Sequence, residues 1–409
     1  MRPRTPRTFI RQRGMGIVET MVGILIGMIV VLAVYNVFAV AEGYKRTAVG
    51  VADAQTTGLV AQFMLAREIG NAGTGLSIDA ANLAQCRQGD PNWDAPAGFF
   101  TAAGARAIRP VPVLIRDGGN ANASDQMIVT YATPSHVVNS VLIVDKPMAV
   151  TTDVIYVQSP NGFRAGDRII VNAKNANGDC ELSTVNLVTP GDSLGNVATG
   201  MVGLSHPPLS KATYIPTGAT DGASVLNLGQ AGEATRTFID VGPGPAPCGA
   251  SKSCQLRTTD LLTPGATAVP IAQNVVLLKA QYGVDCAANG VVTWTPATAS
   301  GVCGRNYTPD DLMPPAPTVG AQGMNTTQYA QWLSRIRAVR IAVVVRSDEP
   351  DLKDAGLVGQ TARLFDCSTH DAACQGSIAI DNTVLADGWR YRTYETVVPM
   401  RNAIYNNGQ

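Results

Sequence analysis

Residues 11–41 read RQRGMGIVETMVGILIGMIVVLAVYNVFAVA and combine a basic start with a long apolar run. Five arginines and no acidic residue precede Gly14, and Glu19 is the single charged residue from Met15 to Val40. The run exceeds the stretch of about 7–15 apolar residues in a secretory signal, and no Ala-x-Ala site clearly ends it. A helix of this length can cross a hydrocarbon core of about 30 Å. The sequence therefore predicts an N-terminal membrane-spanning helix.

The arginines predict that the N-terminus lies in the cytoplasm and that residues from about Glu42 onward lie outside the inner membrane. Glu19 is unusual in such a helix, because a carboxylate at the bilayer centre costs roughly 2.5–3.5 kcal/mol. Either it lies near enough to the boundary to reach the headgroups, or it has a function within the membrane. Gly23 and Gly27 form a GxxxG step, which either lets another helix approach closely or reflects the general frequency of glycine in spanning helices.

The combination of a basic leader ending in Gly14, a glutamate as the fifth residue after it and a long apolar helix resembles the class III signal of type IV prepilins. The resemblance implies that a prepilin peptidase cuts between Gly14 and Met15 and methylates the new N-terminus. It also implies that Glu19 pairs with the N-terminal amine of a neighbouring subunit. Met15 replaces the usual phenylalanine, and the helix lacks the central proline of many major pilins, which favours a minor subunit.

The composition favours an exported, β-rich protein. The chain has 409 residues, of which 15% are charged, with 41 Gly and 25 Pro. Without the five leader arginines, 26 basic residues face 31 acidic ones, a net charge of −5. This balance argues against nonspecific nucleic-acid binding, which needs a basic surface.

Eight cysteines in a periplasm-facing chain predict disulfides. Proximity favours the pairs Cys248–Cys254, Cys286–Cys303 and Cys367–Cys374, and elimination leaves Cys86–Cys180. Sequence cannot fix the pairing, because eight cysteines allow 105 connectivities.

The apolar pattern continues beyond the membrane segment and predicts that the helix reaches about residue 70, where Gly70–Gly73 supplies a stop. A separate amphipathic helix after a break at Gly50 or Gly58 is the alternative. In both cases we expect one apolar stripe to face the core. The stripe consists of Leu59, Val60, Phe63, Met64 and Ala66.

The remaining sequence predicts short strands and turns. Turn-rich sequence from Gly75 to about Asp125 predicts loops. Alternating or continuous apolar runs then predict a series of short strands. These are Gln126–Tyr131, Val141–Val144, Val154–Val157 and Arg168–Val171, followed by the weaker candidates Ala212–Ile215, Ser224–Leu228 and Thr235–Val241.

The C-terminal third predicts three longer strands, at Asn274–Asp285, Ile336–Ser347 and Trp389–Val398, and a short helix at Thr326–Ser334. We expect these strands to form an antiparallel sheet against the N-terminal helix. Alternation assigns side chains to strand faces. One face of each strand is predicted to carry, in order, Val276, Leu278, Ala280, Tyr282 and Val284; then Val339, Ile341, Val343 and Val345, opposite Arg340 and Arg346; then Trp389, Tyr391, Thr393 and Val397.

The three C-terminal runs, together with Pro399–Asn402 and the segment Phe163–Asp167, resemble the PilW family of minor pilins. The resemblance implies an α+β fold in which a long N-terminal transmembrane pilin helix packs on an antiparallel β-rich globular domain. It also implies a subunit that primes pilus assembly and caps the tip. Its expected partners are the prepilin peptidase, other minor pilins, the major pilin, a tip adhesin where one is present, and the inner membrane.

The predicted organisation has five parts: a leader at 1–14, the transmembrane half of the helix at 15–41, its periplasmic half at 42–73, a β-rich elaboration at 74–270 and a C-terminal sheet region at 271–409. The leader is removed at the inner membrane, and the protein then reaches the pilus tip. A type II secretion pseudopilin with the same N-terminus is the nearer alternative. A membrane-anchored adhesive or DNA-binding module that never assembles is the alternative from another class.

The sequence gives little support to catalysis, and we expect no enzyme activity, cofactor, metal or nucleic-acid ligand. No HExxH, Walker or GxSxG motif occurs among its residues. His370 between Cys367 and Cys374 fits an exposed disulfide loop better than a zinc site. The oxygen-rich turn from Asp117 to Asp125, with Asn120 and Asn122, could hold calcium but lacks EF-hand spacing. The alternation of Trp389–Arg392 fits a half-buried strand better than a nucleic-acid surface.

Overall fold

The computed structural model describes a long helix and a β-rich domain. The described residues are 14, 16–76, 83–87, 89–90, 93, 95–109, 111–133, 140–143, 150–151, 154–158, 162–173, 178–190, 201–210, 223–242, 254–318, 322–348, 362–366, 377–380 and 389–401. The chain divides into two compact units, residues 1–52 and 53–409. The α+β class is confirmed.

Three helices are described. Helix α1 spans Ile17–Asn71 without a break, so neither Gly50 nor Gly58 ends it. Helices α2, Pro309–Leu312, and α3, Thr326–Leu333, are short. An Asn325–Gln328 capping box starts α3 and satisfies backbone N–H groups at its N-terminus.

The described strands pair antiparallel throughout. They are β1 Val113–Arg116, β2 Gln126–Ala132, β3 Val141–Leu142, β4 Ile155–Val157, β5 Arg168–Asn172, β6 Cys180–Thr184, β7 Leu187–Pro190, β8 Val202–Ser205, β9 Ser224–Gly229, β10 Ala234–Gly242, β11 Gln255–Asp260, β12 Val269–Gln273, β13 Val275–Val284, β14 Thr293–Thr295, β15 Ile336–Arg346, β16 Ala362–Leu364, β17 Ile378–Ile380 and β18 Tyr391–Pro399.

Two sheets enclose the main core with the second half of α1. One has the order β1-β2-β10-β11-β12 and the other β14-β13-β15-β18. Leu65 and Ile69 of α1 share this core with Ile128 of the first sheet and with Tyr282 and Val339 of the second. The predicted sheet of three long C-terminal strands is therefore present, with β14 as a fourth strand.

An insertion lies between β2 and β10, which are neighbours in the first sheet. It holds the sheets β3-β9-β5-β6 and β4-β8-β7, and a separate core that includes Ile155, Ile169 and Val225. The predicted strand Ala212–Ile215 lies outside the described residues. The predicted loop region before Asp125 contains β1, which the turn signals around it obscured.

Strands that the sequence did not predict are mostly short and partly polar. They are β1, β6, β7, β8, β11, β12, β14, β16 and β17.

The prediction that one apolar stripe of α1 faces the core is wrong for the largest residues of that stripe. Leu59 and Phe63 are 58% and 67% exposed, and Val60 is exposed too. The buried face of α1 instead carries small residues and then larger ones. This inner face consists of Ala54, Gly58, Ala61, Leu65 and Ile69. Small side chains are favoured there because the helix axis lies close to the sheet.

One strand-face prediction is wrong, and the structure shows which face of a second strand meets the core. In β13, the register shifts between Val275 and Leu277, so Val276 packs in a second cluster with Ala342 and Leu364, away from the main core. A bulge places an extra residue on one strand and breaks simple alternation. In β18, Val398 is buried in the main core and Val397 is exposed, so the face that meets the core is the one opposite to the predicted face with Tyr391 and Val397.

The face of β15 that was predicted to be polar is covered as well. Arg340 is buried, its guanidinium stacks on Trp294 and Phe365 at 4.8 and 4.5 Å, and its Nε donates to Gln281 Oε1 at 2.9 Å. Arg346 is buried over the ring of Trp389. The arginines therefore belong to a second layer, in which Leu364 and Ile380 of the β16–β17 hairpin also pack.

Gly58 marks the closest approach of α1 to the second sheet. A Cβ atom built on Gly58 would lie 2.0 Å from Cε2 of Tyr394, whereas one on Gly70 would lie 3.9 Å from Val398. Gln62 Nε2 also donates to the Glu395 carbonyl at 3.0 Å. On the other side, Tyr131 of β2 donates its hydroxyl to Glu68 at 2.8 Å.

We expect Gly58→Ala to lower the free energy of unfolding by about 1–3 kcal/mol, because the ring or the helix must shift to admit the methyl group. Gly70→Ala is the matched control, since its methyl group meets ordinary van der Waals contact and alanine favours a helix by about 1 kcal/mol. Urea unfolding of the detergent-extracted protein measures both. Equal stability of the two variants would contradict the close approach.

Candidate functional site

The predicted processing and assembly residues lie at the start of α1. Gly14 and Gly16 are exposed and precede the helix, and Met15 lies outside the described residues. Glu19 is exposed in the first turn, where its backbone N–H bonds to the Gly16 carbonyl at 3.0 Å. Within the part of the chain that the structure describes, its carboxylate has no ion-pair partner. A negative charge there is favourable for the helix dipole.

Gly23 and Gly27 are open to an approaching surface. A Cβ atom built on either glycine would meet no atom within 4 Å. Nothing within the described chain therefore explains the GxxxG step. The step leaves a shallow strip on which a second helix could pack closely.

The first half of α1 is apolar and uncovered. Its most apolar window of 18 residues has a mean hydropathy of 2.6, and none of that window is buried. By length and composition the helix is able to cross a membrane. Large side chains such as Ile24, Leu32 and Phe38 are all more than half exposed. A contiguous exposed apolar surface of this kind marks contact with lipid or protein.

A second uncovered apolar group lies within the domain unit, on the outward side of α1. It consists of Leu59, Val60 and Phe63, which we call the outer stripe. Sequence reasoning took these large residues for the core face. The true core face could have been recognised from its helical spacing, because small or aliphatic residues recur on one side of the helix over four turns. These residues are Ala54, Gly58, Ala61, Leu65 and Ile69.

Two of the predicted disulfides are present. Cys86 bonds to Cys180, which ties the segment after α1 to strand β6 of the insertion. Cys286 bonds to Cys303 across the loop that follows β13. Cys254 is also in a disulfide. The other predicted pairs involve Cys248, Cys367 and Cys374, which lie outside the described residues, so these pairs stay predictions.

The candidate calcium loop is occupied by a side-chain cation. Lys279 Nζ donates to the Asn120 carbonyl at 2.9 Å and to Asp125 Oδ1 at 2.7 Å. Asp125 also accepts from the backbone N–H groups of Gly118 and Ala280. Both charged residues are 1% exposed. The Asp125 carboxylate and the Asn120 carbonyl of this loop therefore hold the ammonium group of Lys279, while the side chains of Asp117 and Asn120 accept from backbone N–H groups.

The other candidate sites also have structural explanations or are not described. Trp389 is stacked under Arg346, so its ring is engaged within the protein. His370 lies outside the described residues. Among the described residues, no group of three or more His, Cys, Asp and Glu side chains could hold a metal ion.

Together these features define a membrane-anchored α+β protein with an uncovered apolar helix surface. Residues 249–402 match the model of the PilW family, the type IV pilus-assembly protein W. This match confirms the family that the sequence resembles and covers the second main sheet and part of the first. Searches of curated proteins and of solved structures gave no match. The description of this family indicates a role in type IV pilus assembly.

The Asp125–Lys279 pair makes a testable contribution to stability. We expect Lys279→Met to lower the free energy of unfolding by about 3–5 kcal/mol, because it leaves a buried carboxylate without its cation. Asp125→Asn should lower the free energy of unfolding by a similar amount, because it leaves the buried ammonium group of Lys279 without its carboxylate. Because the partners interact, the double variant should lose less than the sum of the single losses in urea unfolding. Additive losses would contradict the ion pair.

The pH dependence of these variants gives a second readout. Burial raises the pKa of Asp125 from 3.8 to about 6, although Lys279 opposes the rise. Between pH 3.8 and about 6 the folded protein thus binds more protons at this group than the unfolded chain. Its contribution to the free energy of unfolding therefore falls as pH rises through that window. This component of the slope should be absent in Asp125→Asn.

Proposed function

We propose that the protein is a minor pilin that primes assembly of a type IV pilus and is incorporated at its tip. The observation that carries the proposal is the uncovered apolar half of α1, with Glu19 as its single charge and without a partner in the described chain. Such a helix is suited to move from lipid into a bundle of similar helices. Its apolar surface stays out of water in both environments.

Leader cleavage between Gly14 and Met15 by a prepilin peptidase supplies the second charge. Cleavage creates a free amine four residues before Glu19, and methylation leaves that amine basic. The amine of one subunit and the Glu19 carboxylate of its neighbour then pair during docking. A close pair in a low-dielectric medium offsets the cost of keeping each charge there.

The outer stripe and the GxxxG step extend this packing model. Gly23 and Gly27 leave room for a neighbouring helix inside the membrane half. Leu59, Val60 and Phe63 offer apolar contact area in the half that lies beyond it. The proposed parts remain the leader at 1–14, the membrane half at 15–41, the periplasmic half at 42–73, the elaboration at 74–270 and the C-terminal sheet region at 271–409.

The size of the domain favours the tip over the shaft. The described insertion adds two sheets with a separate core between β2 and β10. A subunit with so large an addition is harder to repeat along a tightly packed shaft than to place at its end. Other minor pilins and the major pilin are the proposed partners, with a tip adhesin where one is present. The proposed role is assembly, without enzyme activity or nucleic-acid binding.

We expect Glu19→Ala to lower the amount of this protein in pili at least tenfold. The variant should still reach the inner membrane and lose its leader. Intact-mass and N-terminal peptide analysis measure cleavage after Gly14, and immunolabelling of sheared pili measures incorporation. Glu42→Ala is the matched control, since the exposed Glu42–Arg46 pair of the same helix contributes little.

A chain that retains its leader in the wild type, or normal incorporation of Glu19→Ala, would contradict the proposal. Labelling evenly along the pilus would contradict the tip position. Loss of protein secretion with intact pili in a deletion strain would instead indicate a secretion pseudopilin.

We also expect Leu59→Ser with Phe63→Ser to reduce incorporation without lowering the free energy of unfolding by more than about 0.5 kcal/mol, because both side chains are exposed. Leu65→Ala is the contrasting variant, since its side chain is fully buried and the loss should cost about 2–5 kcal/mol. Urea unfolding and pilus immunolabelling separate the two effects. Normal incorporation of the double serine variant would exclude the outer stripe from assembly.

A further inference from the structure

A cavity of about 250 Å³ lies in the C-terminal region, beside the Cys286–Cys303 disulfide. Helix α3 and the turn after it form one wall with residues at helical spacing. These are Gln328, Gln331, Trp332 and Arg335. The facing wall consists of Cys303, Arg305 and Met324. The cavity therefore has an apolar part, formed by the indole, the thioether and the disulfide, and a strongly polar part.

Two guanidinium groups line this cavity without a carboxylate partner in the described chain. Arg335 Nη1 donates to the Cys286 carbonyl at 2.6 Å, and Arg305 Nη1 makes a long contact of 3.5 Å with the Gln322 carbonyl. Each guanidinium carries five N–H donors, so most of them are unused. Burial raises the pKa of Tyr307, and the Trp332 side chain and then the nearby Arg305 and Arg335 oppose part of that rise.

Further side chains surround the guanidinium groups. The indole of Trp332 is buried against the ring of Tyr307, with the two ring centroids 5.6 Å apart, and supplies an apolar surface beside them. The Gln328 carbonyl oxygen is used by the Asn325 backbone in the helix cap, which leaves its NH₂ group for other acceptors. A ligand with acceptor oxygens would satisfy these donors.

The wall that carries Arg305 is held in a defined backbone geometry. Cys303 and Gln322 have φ angles of 60° and 51°, in the left-handed region that non-glycine residues rarely adopt. The side chain of Gln322 bonds to both the N–H and the carbonyl of Asn306, at 3.1 and 3.0 Å. Such strained conformations cluster at functional sites. Here they fix the residue next to Arg305.

We propose that this cavity binds a carboxylate carried by a ligand of about one sugar ring or one amino-acid residue. Two guanidinium groups match a carboxylate by charge-assisted hydrogen bonds. The glutamine amides fit hydroxyl or amide groups beside the carboxylate, and Met324 and Trp332 contact the carbon skeleton. The volume lies just below that of pockets for drug-sized ligands, which is about 300–1,000 Å³. An acidic sugar and an acidic amino-acid side chain share this chemistry.

Calorimetric titration of the full-length protein in detergent tests the proposal. The probes are glucuronate and N-acetylglutamate, with glucose and N-acetylglutamine as neutral counterparts and inorganic phosphate as a competing anion. We expect at least one carboxylate to bind, and Arg305→Gln to weaken that binding at least tenfold with unchanged urea unfolding. Arg392→Gln, whose side chain in β18 is exposed, is the matched control and should bind as the wild type does.

Tighter binding of glucuronate would assign the site to an acidic sugar, and tighter binding of N-acetylglutamate to an acidic side chain. Both results support the proposal. It is overturned if neither carboxylate binds, if the neutral counterparts bind equally, if phosphate binds more tightly than both, or if Arg305→Gln leaves affinity unchanged. Arg305 is the decisive position, because Arg335 also bonds to the Cys286 carbonyl and its replacement can affect folding.

Discussion

The fold depends on how closely α1 can lie against the second main sheet. Gly58 faces the ring of Tyr394 with no room for a Cβ atom between them. Ala54 and Ala61 lie one turn away on either side, and their small side chains let the same face of the helix approach the sheet. Only then can Leu65 and Ile69 reach a core that both main sheets share. The close packing of the helix on the sheets thus depends on complementary shape. The hydrogen bonds from Gln62 and Tyr131 then fix the position of the helix along the strands.

The parts predicted from the sequence were those with strong and uninterrupted periodicity. A continuous apolar run and a regular β-strand pattern each specify their element locally, so α1, β13 and β15 were found within a few residues of their bounds. Face assignments failed where a distant contact decides them. The bulge near Val275 redirects Val276, and a second layer covers Arg340, which local alternation had assigned to a polar face.

The same reasoning explains the error on the outer stripe. Large apolar residues on a helix usually face the core, and Phe63 and Leu59 are larger than Ala61 and Gly58. A helix that must approach a sheet closely reverses this preference, because bulky residues on the inner side would hold it away. The prediction for Glu19 rests on a local motif, which a sequence displays directly. The arginine-lined cavity could not be predicted, since it joins α3 to a loop that a disulfide closes.

Several buried charged side chains link separate elements of the fold. Lys279 of β13 pairs with Asp125 beside β2, and Arg106 pairs with Asp310 of α2 at 2.8 Å while it donates to the Met313 carbonyl. The hydroxyl of the buried Tyr282 lies between the Ile115 N–H and the Val113 carbonyl of β1. Each group fixes one register across two segments, since a shift would leave a buried polar atom without a partner. Within the described part of the chain, Arg305 and Arg335 differ from Lys279 and Arg106 in having no carboxylate partner.

The division of α1 into two faces separates folding from association. Its inner face completes the domain core, so the domain does not need the outer stripe to fold. Within the described chain, the core does not include Leu59, Val60 and Phe63. Their exposure to water is nevertheless unfavourable, at about 25 cal/mol per Å² of apolar surface. Exposed apolar side chains of this kind are removed from water only when a second molecule covers them. Lipid can do so for the first half of the helix, but a residue on the domain unit needs a protein surface, which is why the outer stripe favours association over simple anchoring.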